Sequence, residues 1–370
     1  MANILFINPL QERHGSTYRA RQLQRLLSVN HRVSYVEADP RKPGNNVAVC
    51  RPDSGLGLCR AVIEYLRACW GIGFDILYLQ KPMILTWPCL LLAKLKGKCV
   101  IIDFDDVDSL WQTSAWKTHL TALSERLMPK SADLITTHNR YLRAYIGRIC
   151  NKRLALIPQG VDTDLFDPKR FTKAAERERL GLGGKKIFCF LGSFTKGSAA
   201  DLDIILEAFK SMAKGDRHAL LMIIGGGGPL EAYYTGLMEN LGVRNQVIVT
   251  GRKHQKDIPR YLSCADYGLV CMRDNFANRC RVSLKLLEYL AMELTVIGHV
   301  VGSSRDAFAS YCFLCDPSAE ALSETMLEVM QSQSRKQSAR DFIVDNYDWN
   351  RFVPLVDEVI HECKILRHGR

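Results

Sequence analysis

The chain has 370 residues, 47% of them apolar and 24% charged, a balance that suits folded globular domains and a length that favours two of them. Its formal net charge is +11, which excludes an acidic, self-solvating chain and favours anionic partners such as nucleotide diphosphates, lipid head groups or nucleic acid. No run reaches the ~18 uninterrupted apolar residues of a membrane span, and the 13 cysteines are an odd, scattered set unlike the framework of a small secreted domain.

The chain opens on Met1 to Pro9 without a basic region or a small-residue cleavage site, so it reads as a first strand of a cytoplasmic protein. Apolar runs recur at 3–8, 32–37, 75–80, 99–104, 133–137 and 154–158. Amphipathic segments lie between several of them. In 18–28, Leu23, Leu26 and Leu27 share a face, with Arg19, Arg21 and Arg25 off it; residues 115–129 behave similarly. Short buried runs alternating with helices predict βαβ units and a parallel sheet. Residues 159–185, with Gly160, Pro168 and a Lys/Arg/Glu-rich run, read as a linker and a surface helix. The strands then restart at 186–191, 219–224, 246–250, 267–272, 294–299 and 310–315, separated by helices at 201–213, 230–241, 257–264 and 283–292. The last run contains Cys312-Phe313-Leu314-Cys315, which reads as buried strand rather than a metal or redox site.

The predicted fold is therefore α/β, with two Rossmann-like doubly wound domains facing across a cleft. The boundaries fall at 1–160 and 161–349, with a terminal helix at 350–370 returning to the first domain. Ligands should bind at the carboxyl ends of the strands.

Several motifs fall at such ends. Gly225-Gly226-Gly227-Gly228-Pro229 lets backbone pass close to a ligand or a facing loop. It lacks the acidic residue of a dinucleotide site, because the next strand ends in Thr250-Gly251. A tight strand-to-helix turn explains it as well. Gly192-Ser193-Phe194-Thr195-Lys196-Gly197 is no P-loop, yet small residues and one lysine before a helix suit a phosphate; a solvated loop lysine is the plain alternative. The most informative stretch is 274–292. Ser283 can cap a helix there, and Arg279, Arg281 and Lys285 crowd its start. Cations at that end oppose the helix dipole, a mismatch that a bound anion would remove. Glu288 falls in an apolar stripe with Leu286, Leu287, Leu290 and Ala291, where a carboxylate needs hydrogen bonds; the alternative places it on the helix's polar side. In the first half, Asp103-Phe104-Asp105-Asp106 closes a strand. The spacing admits Mg²⁺, though hydrogen bonding to a sugar hydroxyl or another loop suits the setting better.

In order, these residues resemble the retaining glycosyltransferases of family 4, of the polysaccharide-biosynthesis type and the two-domain GT-B fold. Ile157-Pro158-Gln159-Gly160-Val161-Asp162, with Phe166-Asp167-Pro168, is similar to that family's interdomain signature. Leu191-Gly192-Ser193, Lys196-Gly197 and Leu206-Glu207-Ala208-Phe209 follow, then the glycine run, Val249-Thr250-Gly251, Ile258-Pro259, and Ser283 to Ala291. The resemblance implies a hexosyltransferase moving a sugar from a nucleoside-diphosphate sugar, UDP or GDP foremost, to a glycan, glycolipid or lipid-diphosphate acceptor, without a metal or other cofactor. It places Gly15 under the donor diphosphate and Lys196 on the leaving group. Glu288 would bind the ribose, and Arg252 and Lys253 would border the base. Ser283, Leu284 and Lys285 would offer helix amides and charge, beside Ser193, Gly227 and Arg281.

The chain departs from the family at Cys280, where the first glutamate of the Glu-x7-Glu pair belongs; Asn278 or Arg279 could replace it. At Ser193 the family often has an arginine, whose charge Arg279 or Arg281 could supply. The family's first-domain histidine is replaced by Asp105 and Asp106, or is absent. An epimerase of similar fold and a degenerate, non-catalytic binder are the rival readings. Nucleic-acid modules are missing. Residues 83–98 and 111–130, with Trp87, Trp111, Trp116, Lys117, Arg126 and Lys130, joined by Arg13, Arg19, Arg41, Arg51 and Arg60, could form a basic, partly apolar face. Such a face would suit peripheral contact with the inner face of a membrane. Ordinary core helices with snorkelling lysines explain it too. Oligomeric state leaves no mark in these patterns.

Overall fold

The computed structural model describes residues 1–10, 15–37, 47–48, 55–199, 201–214, 216, 218–332 and 338–368. Arg13, Arg41 and Arg51 of the anticipated basic face lie outside the described residues. The chain divides into two compact units, Met1–Gln159 with Trp349–Arg370, and Gly160–Asp348.

The first unit runs β1 (Asn3–Asn8), α1 (Gly15–Asn30), β2 (Arg32–Glu37), β3 (Val47–Ala48), α2 (Gly55–Gly71), β4 (Ile76–Gln80), α3 (Trp87–Leu95), β5 (Cys99–Asp103), α4 (Ala115–Ser131), β6 (Leu134–Thr137), α5 (Arg140–Ile149) and β7 (Arg153–Leu156). Its strands form one parallel sheet in the order β3-β2-β1-β4-β5-β6-β7. The order reverses between β1 and β4, the switch point where doubly wound sheets open a crevice. β4 and β5 are buried along their whole length, which is why they read as continuous apolar runs rather than alternating ones.

The second unit runs α6 (Lys173–Arg179), β8 (Lys186–Gly192), α7 (Leu202–Ala213), β9 (Ala219–Gly225), α8 (Glu231–Asn240), β10 (Val247–Val249), α9 (Ile258–Leu262), β11 (Tyr267–Cys271), α10 (Phe276–Arg279), α11 (Leu284–Ala291), β12 (Thr295–His299), α12 (Gly302–Phe308), β13 (Cys312–Leu314), α13 (Ala319–Ser332) and α14 (Arg340–Tyr347). Its sheet is also parallel, in the order β10-β9-β8-β11-β12-β13, so the switch point lies between β8 and β11. Cys312 is buried in β13, and Cys315 follows it half-buried; both are free thiols.

The last helix, α15 (Val353–His368), belongs to the first unit. Trp349, Phe352, Val356 and Ile360 pack with Leu23, Leu26 and Leu27 of α1 in a shared core. Two features correct the sequence reading. Cys99 of β5 and Cys363 of α15 form a disulfide, although the scattered cysteines gave no reason to expect one. The helix lays one turn against the strand, and 264 positions of chain separate the two sulfurs. Arg19 does not join an outer basic face: it is 1% exposed. Its Nε and Nη2 donate to Asp103 Oδ2 and Oδ1 at 2.8 and 3.0 Å. It also donates to the Ile157 and Pro158 carbonyls at 3.0 and 3.1 Å. Thr136 Oγ1 donates to the same carboxylate at 2.7 Å and lies 2.9 Å from Tyr78 Oη, completing a buried polar network.

Candidate functional site

In the second unit, four segments meet at the carboxyl ends of β8, β9 and β11. Gly225, Gly226, Gly227 and Gly228 have φ of 134, 94, 68 and 116°. At Gly225 a Cβ would lie 2.2 Å from the Gly192 carbonyl oxygen, so only glycine fits. The run holds the loop after β8. Gly226 N donates to Gly192 O at 3.0 Å, Phe194 N to Gly227 O at 2.9 Å, and Leu230 N to Phe194 O at 3.0 Å. The glycines thus serve the facing loop, and a Cβ on Gly227 would meet nothing within 4 Å. Ser193 N donates to Ser198 Oγ at 3.1 Å, folding the loop on itself and leaving Lys196 exposed upon it.

The start of α11 abuts this loop. Ser283 stands at the N-cap position with extended backbone, although its hydroxyl makes no capping bond. The Leu284 and Lys285 amides, in the first turn, have no intrahelical acceptor. Arg281 Nη1 donates to Gly197 O at 2.9 Å and Lys285 Nζ to Ser198 O at 3.2 Å. Lys285 Nζ also sits 3.8 Å from the centroid of the Phe190 ring. Burial, helped by the Arg281 charge, pushes the Lys285 ammonium down to about 7.

Glu288 is 2% exposed, as its place in the apolar stripe requires. Gln255 Nε2 donates to its Oε1 at 2.6 Å, tying the loop after β10 to α11. Burial pushes the carboxyl up to about 8, against the Gln255 hydrogen bond and the Lys285 charge. On the same loop Arg252 is exposed, and Lys253 Nζ lies 5.0 Å from the Tyr261 ring centroid. Gly268 makes room for Tyr289, whose hydroxyl accepts from Leu191 N at 2.7 Å and fixes the end of β8.

Of the remaining expected residues, Arg279 is held at 2.5 and 2.7 Å by both oxygens of Asp274. Asn278 is buried and donates to Arg273 O at 2.9 Å; Cys280 is buried as well. Sequence reasoning missed Arg273, which donates to Asp201 Oδ1 and Asp203 Oδ2, both at 2.9 Å, and so pins the end of β11 to the start of α7.

The first unit has its own strand-end cluster. Gly15 opens α1, and residues 11–14 before it lie outside the described residues. Lys81, the residue after β4, is buried with φ 67°, a rare backbone for a side chain of this size. Its Nζ lies 3.1 Å from Asp105 Oδ1 and 2.7 Å from Asp108 Oδ1. Burial works against that ammonium, but Asp105, Asp108 and Asp106 raise its pKa above the usual lysine range. Burial likewise opposes the Asp105 charge, yet Lys81 and Arg19 hold its carboxyl below the ordinary value. Asp108, nearby, is pushed up to about 6 by burial and by Asp106 and Asp105, against the pull of Lys81. Asp106 Oδ1 accepts from Val107 N at 2.9 Å and Trp111 Nε1 at 3.2 Å. The Asp-x-Asp carboxylates are therefore bound to Arg19 and Lys81, two different cations, rather than aimed at one point. His138, at the end of β6, donates from Nε2 to the Asp105 carbonyl at 2.6 Å. Burial, and after it the Arg19 charge, lower its pKa. A histidine does stand at the first unit's strand ends, on the neighbouring strand to the one the motif pointed to.

A family model described as glycosyl transferases group 1 matches residues 172–349. A GDP-mannose-dependent alpha-(1-6)-phosphatidylinositol monomannoside mannosyltransferase of Mycolicibacterium smegmatis is 24% identical over 243 residues, 60% of this chain and 61% of that one. The chain therefore spans 61% of that relative's length. A protein of the same description from Mycobacterium tuberculosis is 28% identical over 143 residues, 38% of this chain and 36% of that one. Among solved structures, the sucrose-phosphate synthase of Thermosynechococcus elongatus superposes with a TM-score of 0.79 at 16% identity, covering 98% of this chain and 99% of that one. Anabaena HepE in complex with UDP-glucose gives a TM-score of 0.78 at 13% identity, covering 98% and 100%. The chain has the GT-B fold of these proteins, and the family match and curated relatives support a glycosyltransferase.

Proposed function

We propose that the protein transfers a sugar from a nucleoside-diphosphate sugar to a glycan, glycolipid or lipid-diphosphate acceptor, with retention and without a metal ion. The observation that carries this reading is the buried Glu288, held by Gln255 three residues along α11 from a lysine at the helix's amino end. A carboxyl so placed can accept ribose hydroxyls, while Lys285, Arg281, Ser193 and the Ser283–Lys285 turn meet the diphosphate. Lys196 neutralises the leaving group. Arg252 and Lys253 border the base, and Gly227 leaves its side open. The acceptor oxygen attacks the anomeric carbon on the face that the diphosphate leaves. The carbon–oxygen bond to the β-phosphate breaks, and the acceptor's proton passes to that phosphate. Cations and amides oppose the developing charge. UDP and GDP are the bases in view, because the mycobacterial relatives are described as GDP-mannose-dependent and HepE holds UDP-glucose. In the first unit, Gly15 would lie under the donor diphosphate and near the acceptor, and Asp105 and Asp106 would serve the acceptor side, at the inner face of a membrane where the acceptor is a lipid.

Lys285 links this reading to pH. Its charge is half lost near pH 7, and a diphosphate would restore it. The binding advantage of the wild type over Lys285→Met should therefore fall about tenfold between about pH 6 and pH 8. Titration with an intact nucleotide sugar, whose diphosphate does not itself titrate there, measures it. A constant ratio would remove Lys285 from the site.

Buried Cys280 and the Asp274-bound Arg279 favour a second reading, a binder that no longer transfers. A thermal-shift screen against UDP, GDP, TDP, ADP and NAD, with and without EDTA, tests the shared part of both. One nucleoside diphosphate should raise the melting temperature by ~2–4 °C or more, indifferent to EDTA. A response to NAD alone would reject both readings. Lys196→Ala should then lower kcat/KM roughly 100-fold while leaving the melting temperature unchanged. A binder without turnover would favour the second reading.

A further inference from the structure

Lys81 is the member of the first unit's strand-end cluster that packing explains least. It follows β4, beside the point where the sheet order reverses. Its φ is 67° and the next residue is Pro82, so two local rules disfavour this backbone. A conformation of that kind persists only where its surroundings over-determine it. Lys81 N donates to Asp103 O at 2.9 Å, and Met83 N donates to Lys81 O at 3.0 Å, which fixes the turn. The turn carries an ammonium into a place where the residue is 3% exposed. Glycine would take the same turn without strain, and a neutral side chain would bury no charge. The lysine is therefore to be explained by what its ammonium holds.

It holds two acids in different ways. Nζ donates to Asp108 Oδ1 at 2.7 Å. Asp105 Oδ1 lies 3.1 Å from the same ammonium, close enough for charge attraction but outside hydrogen-bond geometry. That oxygen is buried and accepts no hydrogen bond from the described residues. The rest of Asp105 is fixed from several elements. Ser16, in the first turn of α1, hydrogen-bonds its carboxylate. His138 Nε2, after β6, donates to its carbonyl at 2.6 Å, and Asn139 Nδ2 steadies the other ring nitrogen at 3.1 Å. Arg19 faces it from α1, and Asp106 and Asp108 follow it along the chain. Glu125 of α4, bonded to Ser109, faces Asp108. A buried, charged oxygen with unused lone pairs calls for a hydrogen-bond donor. With Asp106 and Asp108 beside it, a phosphate is repelled, whereas a neutral hydroxyl donates without adding negative charge.

We propose that Lys81 is a positioning residue: from its left-handed turn it fixes the Asp105 carboxylate, without occupying Oδ1, so that this oxygen receives a neutral hydroxyl of the acceptor. The inference rests on the proposed function for the identity of that group and deepens it. The end of the acceptor held in the first unit is a hydroxylated ring rather than a phosphate. Lys81 touches no substrate itself and acts through Asp105.

The test is calorimetric titration of the full chain with hexyl glycosides of glucose, galactose and mannose, at pH 5.5 and pH 8. Wild type should bind at least one of them with similar affinity at both values, because Lys81 and Arg19 hold Asp105 ionised throughout. In Lys81→Met, burial and the neighbouring acids act on Asp105 without the ammonium, so its carboxyl takes up a proton as pH falls. Affinity should drop roughly threefold at pH 8 and at least about tenfold at pH 5.5. Lys81→Met with Asp108→Asn removes the ammonium together with one of its acids, keeps the fold in hand and should show the same split between the two pH values. A lysine that only supported the fold would lower affinity equally at both. Nucleotide-induced thermal shifts should be unchanged in both variants, because the proposed donor residues lie in the other unit. Absence of those shifts in wild type would count against the glycosyltransferase reading, whereas glycoside binding is read without turnover. Failure of wild type to bind any of the three glycosides, or a loss in the variants that does not depend on pH, would overturn the inference.

Discussion

Glu288→Leu should weaken binding of the nucleotide sugar roughly 100-fold while raising the melting temperature of the free protein. The two effects have one cause. Burial pushes the carboxyl up to about 8, whereas in an unfolded chain it titrates near 4.5. The folded state therefore holds a proton between those values that the unfolded state has released. Stability contributed by this group is complete below about pH 4.5 and is lost as pH rises toward 8. At pH 7 the penalty is about 3 kcal/mol, and leucine, among Leu286, Leu287 and Leu290, does not incur it. The stability difference between variant and wild type should widen from pH 5 to pH 8. Calorimetric titration and thermal unfolding read the two effects separately. Unchanged affinity, or a variant that is less stable at every pH, would remove the ribose role from Glu288.

Arg19→Met should destabilise the first unit by about 3–5 kcal/mol. Methionine fills much of the space, yet Asp103 keeps a buried charge with Thr136 as its remaining hydrogen-bond donor from this network. The Ile157 and Pro158 carbonyls also lose their donor. The penalty is that of breaking a pair, not the net worth of the pair. Arg19→Met with Asp103→Leu should therefore recover a large part of it. Denaturant unfolding of the single and double variants decides. A single variant as stable as the wild type would mean that the network does not hold the unit together.

The layers and their connections were legible because doubly wound sheets bury both faces of their strands. Residues 99–103 and 219–224 need no tertiary knowledge to be read as strands. The burial of Glu288 was legible for a similar reason, its neighbours at helical spacing being leucines. The misses share another cause, the distance along the chain between partners. Arg19 looks solvent-facing on α1 alone and is buried only because Asp103 arrives from 84 positions away. Cys363 finds Cys99 across the whole second unit. Gln255 reaches Glu288 over 33 positions, with no motif to mark it. Lys81 shows a different limit: a left-handed backbone at a lysine breaks the local rule that would have found it. The weak point of the motif reading is the cation cluster at 279–285. The structure gives Arg279 an aspartate and gives Arg281 and Lys285 loop carbonyls as partners.

The most direct measurement of the central claim is release of nucleoside diphosphate from a UDP- or GDP-linked sugar, in EDTA, with and without a panel of glycolipid and polyprenyl-diphosphate acceptors. The account predicts release from one donor that rises at least about tenfold with one acceptor, with the new linkage keeping the donor's anomeric configuration. Release that no acceptor accelerates, or a product of inverted configuration, would contradict it.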